Sequence, residues 1–178
     1  MTQNQIMNHE DLNRAVTRIA HEILEKNKGS ENMALIGIRT GGAILAHRFQ
    51  EKIKEIDVAW MDLGILDITL YRDDLSEIGS QPDIKETEID FDINDKRIIL
   101  IDDVLYTGRT IRCAMDAIID YGRPTCIQLA VLIDRGHREL PIKADYVGKN
   151  IPTAKQQKVM VHLKEQDQED SVFLVDEV

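Results

Sequence analysis

One stretch of the chain, residues 97–119, constrains the fold more than any other. Its sequence is RIILIDDVLYTGRTIRCAMDAII, and four consecutive apolar residues, 98–101, open it. An unbroken apolar run of this length is typical of a strand that is buried on both faces. The turn TGRT, residues 107–110, then leads into a helical run over residues 111–119. This order of strand, turn and helix indicates a parallel sheet with a helix packed on it.

Strands and helices alternate along the rest of the chain. Apolar residues recur at helical spacing over residues 11–26, and AILAHRFQEKI predicts a second helix after a Gly41-Gly42 loop. We expect strands over residues 33–39, 58–71 (as two strands meeting near residue 64), 126–133, 144–149, 158–163 and 171–175. The pattern predicts one domain, residues 1–178, of the α/β class: a central, mostly parallel sheet flanked by helices, with short antiparallel additions near the end.

The segment from residue 72 to residue 96 lacks a regular apolar pattern. It is polar and acidic, and it contains Gly79 and Pro82. A connection of this length inside a compact domain is usually a lid or a binding loop. A short strand pair around residues 89–93 is the alternative.

Composition limits the classes of protein to consider. The 178 residues carry a formal net charge of −10, which opposes bulk binding of nucleic acid but leaves room for a local basic patch. No apolar run is long enough to span a bilayer and the first residues are polar, so we expect a cytoplasmic protein without membrane contact. Cys113 and Cys126 form no CxxC pair and are expected to be reduced thiols in or near the core.

The residues that follow the apolar run predict a ligand. Asp102 and Asp103 are adjacent carboxylates, and like charges at the end of a buried strand are unfavourable. Amides at the start of a helix bind anions, and Gly108 lets the backbone approach a phosphate closely. Carboxylates accept hydrogen bonds from sugar hydroxyls, so a ribose 5-phosphate fits both halves. The alternative is an ordinary helix N-cap with both aspartates facing solvent.

The sequence IILIDDVLYTGRT resembles the PRPP-binding motif of the type I phosphoribosyltransferases. The resemblance extends to DITLYRDDL, to GRPTCIQLAVLIDRGHRELPIKADYVGKNIPT and to TRIAHEILEKN. Together these segments are similar to the branch of the family that combines uracil phosphoribosyltransferase activity with regulation of a pyrimidine operon. The resemblance implies a fold with a small hood and a flexible lid loop. It also implies that uracil and PRPP give UMP and pyrophosphate, with Mg²⁺ bound through PRPP rather than by the protein alone.

The same resemblance implies a role for individual residues. Asp102 and Asp103 would bind the ribose, Arg39 and Thr40 the pyrophosphate, and Asp134 and Arg135 would belong to the loop beside uracil. The 5-phosphate would be bound by Thr107, Gly108, Arg109 and Thr110. The lid would contribute Tyr71, Arg72 and Asp73, for which an ordinary charged turn is the alternative. Arg39, Arg72 and the two aspartates are the expected catalytic residues, with charge stabilisation favoured over general-base catalysis for the aspartates.

A basic surface is the second expectation. At the helical period Arg14, Arg18 and His21 share one face of the first helix, with Thr17 at its edge. The segment RGHRELPIKADYVGK adds the basic residues Arg135, Arg138, Lys143 and Lys149, with His137 between them; of these, all but Arg135 are the expected RNA contacts. The resemblance implies that such a patch binds a stem-loop of the pyrimidine operon leader RNA more tightly with UMP, which regulates transcription by attenuation. A mixed solvated helix face is the alternative.

Three functional hypotheses remain open at this point. The first is a bifunctional enzyme and regulator, working as a homodimer or a higher homo-oligomer as the resemblance implies. The second is an RNA-binding regulator with little catalytic activity. The third is a phosphoribosyltransferase for another nucleobase, without RNA regulation.

Overall fold

A computed structural model describes residues 3–72 and 85–176 of the chain. Three helices lie in these ranges: α1 (His9–Asn27), α2 (Gly41–Asp57) and α3 (Arg109–Tyr121). The strands are β1 (Gln3–Met7), β2 (Met33–Ile38), β3 (Asp62–Leu66), β4 (Arg97–Leu105), β5 (Cys126–Asp134), β6 (Tyr146–Asn150), β7 (Gln157–His162) and β8 (Ser171–Asp176). A short 3-10 turn follows β3 at Thr69–Tyr71.

Five of the strands form a central sheet in the order β3-β2-β4-β5-β6, and every pairing in it is parallel. The remaining three strands form a small antiparallel sheet, β1-β8-β7. The predicted α/β class with a parallel central sheet and late antiparallel strands is therefore confirmed. Strand β1 was not expected, because its sequence QNQIM is short and mostly polar and its partner lies at the opposite end of the chain.

The apolar run in β4 is continuous because a separate apolar layer covers each face of the sheet. Ile99 and Ile101 pack into one layer with the apolar sides of α1 and α2. Ile98 and Leu100 pack into the other layer, against α3. All four side chains are fully buried, and removing so much apolar surface from water is the main force that holds the sheet between its helices.

Two local predictions were wrong. The Gly41-Gly42 pair does not form a loop but the first turn of α2. A Cβ atom at Gly42 would lie only 3.1 Å from the Cα of Asp102, so glycine here permits close packing of α2 on β4 rather than a flexible turn. The stretch from residue 58 to residue 71 forms one strand, β3, followed by the 3-10 turn.

The alternative of a strand pair around residues 89–93 is also not observed. In the described part of the chain this region makes a single antiparallel bridge, between Ile65 and Glu88. Within the same ranges no helix is both long enough and apolar enough to cross a bilayer.

Candidate active site

The site is built around the last residues of β4, which extends through both aspartates to Leu105. Strand β2 pairs with β4 only as far as Ile101, whereas β5 continues to pair with it to the end. One edge of β4 is therefore unpaired from Asp102 onward. This opening lies at the carboxyl end of the sheet, where parallel α/β sheets bind their ligands.

Asp102 and Asp103 differ in burial and in ionisation. Asp102 is 7% exposed, so it does not face solvent as the N-cap alternative requires, and Asp103 is half-buried. The Oδ1 of Asp102 accepts a hydrogen bond from the Asp103 amide (2.9 Å), and the Oδ1 of Asp103 accepts one from the Val104 amide (2.7 Å). Burial, reinforced by the neighbouring charge of Asp103, raises the pKa of Asp102 well above its ordinary value.

The TGRT turn, residues 107–110, connects β4 to α3. Gly108 is the N-cap of α3 with φ +92°, a conformation that favours glycine, and it offers no side-chain acceptor to the first-turn amides. The first turn of α3 contains no acidic residue, so the positive end of the helix dipole is not compensated there. These features suit an anion such as a phosphate.

A second loop, residues 134–142, packs against this turn. The amides of Glu139 and Leu140 donate to the carbonyl of Thr107 at 2.9 and 3.1 Å. The guanidinium of Arg138 donates to the carbonyl of Tyr106 (2.7 Å) and to the carboxylate of Asp134 (2.5 Å). Arg138 was predicted to contact RNA, but its guanidinium also donates to a third acceptor within the protein, the carbonyl of Ile142 (2.9 Å). RNA contact by this side chain stays a prediction.

Arg39 and Thr40 lie between β2 and α2, next to the aspartates. The peptide bond that joins them is cis. A Cβ atom at Gly41 would lie 2.9 Å from the Cγ of Asp103, which places this loop directly against the acidic pair. The guanidinium of Arg39 donates to the carbonyl of Glu86 (2.8 Å) and forms an ion pair with Glu88.

Of the predicted lid residues, Tyr71 contacts helix α3. The hydroxyl of Tyr71 donates to the Oδ2 of Asp120 at 2.6 Å, and this hydrogen bond raises the pKa of Tyr71 to about 12. Asp120 is near the carboxyl end of α3, roughly 16 Å along the helix from Arg109 at 1.5 Å per residue. Arg72 is exposed, and Asp73 falls outside the described residues.

The other predicted residues at this edge have defined contacts. Asp134 accepts from the Gly136 amide (3.0 Å) as well as from Arg138. Arg109 pairs with Glu139, with 2.7 Å between its Nε and the carboxylate. Arg135 is buried, and its guanidinium lies 3.9 Å from the centroid of the Tyr106 ring. Tyr106 was not among the predicted site residues, although an aromatic residue directly before the TGRT turn was the available signal.

Three of the predicted RNA-binding residues, Arg14, Arg18 and Lys149, surround one shallow depression between α1 and β6. Arg18 donates to the carbonyl of Gly148 (2.6 Å) and to Glu22 (2.6 Å), while Arg14 pairs with Glu10 (2.9 Å). Lys149 donates to the carbonyl of Ile6. The remaining predicted residues are placed as follows: His21 and Lys143 are exposed, Thr17 donates to the carbonyl of Asn13, and His137 contacts the carbonyl of Thr153.

A divalent cation would find few protein ligands here. Among the described residues, no group of three or more histidine, cysteine, aspartate or glutamate side chains is arranged to hold a metal. Asp102 and Asp103 are hard oxygen donors of the kind that Mg²⁺ prefers, and Mg²⁺ commonly combines one or two carboxylates with substrate phosphates. The acidic pair therefore fits Mg²⁺ that is bound mainly through a phosphorylated ligand.

Known proteins with the same fold and sequence pattern are numerous. The family profile described as "Phosphoribosyl transferase domain" matches residues 2–166. A "Bifunctional protein PyrR" of Deinococcus radiodurans is 60% identical over 171 residues, covering 96% of this chain and 93% of that protein. The protein of the same name from Clostridioides difficile is 58% identical over 170 residues, covering 96% of each chain.

Solved structures agree at the level of the fold. A hypoxanthine-guanine phosphoribosyltransferase of Bacillus anthracis superposes with a TM-score of 0.72 at 19% identity, covering 98% of both chains. A hypoxanthine phosphoribosyltransferase of Trypanosoma cruzi gives a TM-score of 0.73 at 16% identity, covering 98% of this chain and 97% of the other. With the family match and the relatives above, the conclusion is direct: the chain belongs to the phosphoribosyltransferase family, and within it to the PyrR proteins.

Proposed function

We propose that this chain transfers the phosphoribosyl group of PRPP to uracil, giving UMP and pyrophosphate, and that residues 1–178 form the single domain that does so. The observation that carries the proposal is the pairing of two features at one strand end. Asp102 and Asp103 lie at the open edge of β4, and the TGRT turn presents the start of α3 a few residues later. A ribose 5-phosphate has hydroxyls for the first and a phosphate for the second.

The charge that develops in the reaction suits these groups. When the bond to the anomeric carbon breaks, positive charge develops on the ribose and negative charge on the pyrophosphate. The carboxylates of Asp102 and Asp103 stabilise the positive charge. Arg39 lies two residues before Gly41, which packs against Asp103, and its guanidinium would bind the leaving group. Groups that are already oriented toward developing charge lower the barrier without reorganising.

Mg²⁺ is the cation that this site would use. Asp102 and Asp103 would hold it together with oxygens of PRPP, and when bound it neutralises charge on the leaving pyrophosphate. An adjacent cation also favours the ionised form of Asp102, whose pKa is raised in the protein alone.

Arg39 must change partners for this role. In the structure its guanidinium is paired with Glu88 and the carbonyl of Glu86, just after the undescribed residues 73–84. A pyrophosphate group carries more charge than one carboxylate and can displace Glu88 through bidentate hydrogen bonds. Glu88→Gln should therefore lower the KM for PRPP, whereas Arg39→Lys should raise it.

The decisive experiment is a turnover assay with purified protein, PRPP, Mg²⁺ and uracil, in which pyrophosphate release is measured. Parallel reactions with hypoxanthine and guanine test the alternative substrates. Asp103→Asn serves as a site variant, and Lys52→Gln, a change on α2 at a partly exposed residue that pairs with Glu55, serves as the control. Release that requires uracil and is lost only in the site variant supports the proposal; release with a purine alone, or with no base, contradicts it.

A specific observation also favours the second function, UMP-dependent binding of the pyrimidine operon leader RNA. Arg14 and Arg18 of α1 meet Lys149 of β6, more than 130 positions away in the sequence, at one depression, although the chain carries a net charge of −10. A local cluster of cations is what phosphate contacts require. The relatives are named bifunctional, which supports a second activity.

The RNA proposal has its own test. Affinity for a leader stem-loop should rise with UMP and fall steeply with salt. Arg14→Ala should weaken binding, whereas Arg112→Ala should not, because Arg112 forms an equivalent pair with Asp116 on α3 (2.8 Å), away from the depression. Equal effects of the two substitutions would show that the depression is not the RNA surface.

We infer further that the chain works in the cytoplasm as a homodimer or a higher oligomer. Several large apolar side chains are exposed on the isolated chain, among them Val58 (88%), Trp60 (70%) and Ile119 (62%). Surfaces of this kind are commonly covered in assemblies. Sedimentation analysis of the purified chain tests the assembly, and a monomer at micromolar concentration would contradict it.

A further inference from the structure

Arg135 is an unusual residue for the interior of a protein. Among residues 3–72 and 85–176 it is the only lysine or arginine that is buried, with 6% exposure. It forms no ion pair there; its Nη2 donates to the carbonyl of Ala154 at 3.2 Å, and its Nε has no hydrogen-bond partner. A buried charge is normally paired with an opposite charge, so another contact must compensate for this one.

That contact is the ring of Tyr106. The guanidinium carbon of Arg135 lies 3.9 Å from the ring centroid, well within the range of a cation–π interaction. The ring of His137 meets the same tyrosine edge-on, with 6.2 Å between centroids. Such interactions are strongest where water is excluded, as it is around Arg135. Tyr106 is therefore bracketed by two residues of the 134–142 loop.

The contact between Tyr106 and Arg135 connects segments of the chain that surround the site. Tyr106 directly precedes the TGRT turn, and the amide of Arg135 donates to the carbonyl of Leu105 at 3.1 Å. Arg135 also contacts the segment that precedes β7, because the hydroxyl of Thr153 donates to the carbonyl of Arg135 at 3.0 Å. Arg135 thus joins three segments: the end of β4 with its turn, the 134–142 loop and residues 153–154.

We propose that the Tyr106–Arg135 stack is a positioning pair that fixes the distance between the TGRT turn and the 134–142 loop. The inference rests on the proposed function, in which the turn binds the 5-phosphate and the loop lies beside the nucleobase. Bond formation requires the base nitrogen and the anomeric carbon to be aligned, and a misplacement of about 1 Å can cost roughly 100-fold in rate. In this role both side chains act through the segments that they hold, and not by contact with the reacting atoms.

The test compares Tyr106→Leu, which removes the ring, with Tyr106→Phe, which keeps it. Tyr106→Leu should lower kcat/KM about 10- to 30-fold, with a higher KM for both PRPP and uracil, whereas Tyr106→Phe should retain most of the wild-type value. Arg135→Met should match Tyr106→Leu. The double variant should be no worse than either single one, because both remove the same contact.

Two further measurements separate this role from a merely structural one. Thermal unfolding identifies any variant that fails to fold, in which case Arg135→Lys, which keeps the charge but not the planar stack, replaces Arg135→Met. If the wild type does not turn over, the proposed function fails, and the positioning pair is judged from PRPP and UMP affinities by calorimetry in the same variants. Equal losses in Tyr106→Phe and Tyr106→Leu, wild-type affinities in Tyr106→Leu, or additive effects in the double variant would each overturn the proposal.

Discussion

Arg48 provides the sharpest test of how the small sheet is attached to the rest of the fold. Its guanidinium donates to both oxygens of Glu165 (2.9 and 2.5 Å) and both oxygens of Asp170 (3.0 and 2.6 Å). His9 adds a contact to Asp170 at 2.9 Å. This cluster connects the start of α1, helix α2 and the turn between β7 and β8, so the substitution Arg48→Met should loosen the attachment of the small sheet.

The magnitude follows from burial. The side chains of Arg48 and Asp170 are only 14% and 2% exposed, and removing one partner of a buried pair costs about 3–5 kcal/mol. Glu165 is 40% exposed, so the ion pair between Arg48 and Glu165 contributes at most about 1 kcal/mol to stability. In Arg48→Met, His9 and the Lys164 amide still contact Asp170. We therefore expect the free energy of unfolding to fall by about 3 kcal/mol, the lower end of that range. For a chain of this length that corresponds to a fall in Tm of roughly 6–12 °C.

Urea unfolding followed by circular dichroism measures this loss. Lys52→Met is the matched control, since the partner of Lys52, Glu55, is 64% exposed and the change should cost less than about 0.5 kcal/mol. Adding Asp170→Asn to Arg48→Met should restore part of the stability, because it removes the stranded buried charge. A loss below about 1 kcal/mol in Arg48→Met, or a double variant that equals the sum of the single ones, would refute the reasoning.

The pH dependence has a defined sign. Burial alone would raise the pKa of Asp170, but hydrogen bonds from Arg48, the Lys164 amide and His9 hold it below its ordinary value. The hydrogen bond from Arg48 likewise lowers the pKa of Glu165. A carboxyl group whose pKa is lowered by folding stabilises the folded state at any pH above its unfolded-state pKa, which is about 4. This stabilisation is lost as the pH falls below that value. The difference in free energy of unfolding between the wild type and Arg48→Met should therefore become smaller below about pH 4.

Three further predictions concern the candidate site and its surroundings. Asp102→Asn should lower kcat/KM roughly 100-fold or more yet raise Tm relative to Asp103→Asn. The reason is that burial raises the pKa of Asp102. Ionisation of Asp102 therefore destabilises the fold increasingly as the pH rises above about 4. A Tm of Asp102→Asn below that of Asp103→Asn would contradict this. Gly42→Ala should cost about 1–3 kcal/mol in urea unfolding and reduce turnover, since its Cβ would press on the backbone of β4 at Asp102. The pKa of Tyr71, measured by phenolate absorbance, should be about 12. Asp120→Asn should return this pKa toward 10. The same pKa in both proteins would show that the hydrogen bond is absent in solution.

The local pattern of the sequence was sufficient for the sheet and its central strand. The apolar run 98–101 predicted a strand buried on both faces, and both faces are covered. The same reasoning misassigned Gly41 and Gly42, because a pair of glycines is compatible both with a loop and with close packing of a helix on a strand. Only the position of β4 relative to α2 distinguishes the two, and that is a tertiary property.

Contacts between distant residues account for what the sequence could not provide. The pair His9–Asp170 spans 161 positions, and no local pattern links its members. Arg138 was assigned to a basic surface from its charge alone, whereas the structure surrounds its guanidinium with carbonyls and a carboxylate from nearby loops. Charge in a sequence identifies which side chains can bind an anion. It does not identify which of them the fold has already paired.

This distinction explains the electrostatic arrangement of the site. Three basic residues of the loops around it have acidic partners: Arg39 pairs with Glu88, Arg109 with Glu139 and Arg138 with Asp134. Asp102 and Asp103, in contrast, form no ion pair with any lysine or arginine in the described part of the chain, although Asp102 is the more deeply buried of the two. The fold thus leaves two carboxylates without a cationic partner at the open edge of its central strand, and a ligand that brings hydroxyl donors or a cation would stabilise their ionised form. The ionised carboxylate of Asp102 lowers the stability of the fold and raises its affinity for a ligand of that chemistry. For this reason Asp102→Asn should give a more stable protein than Asp103→Asn and still lose most of the activity.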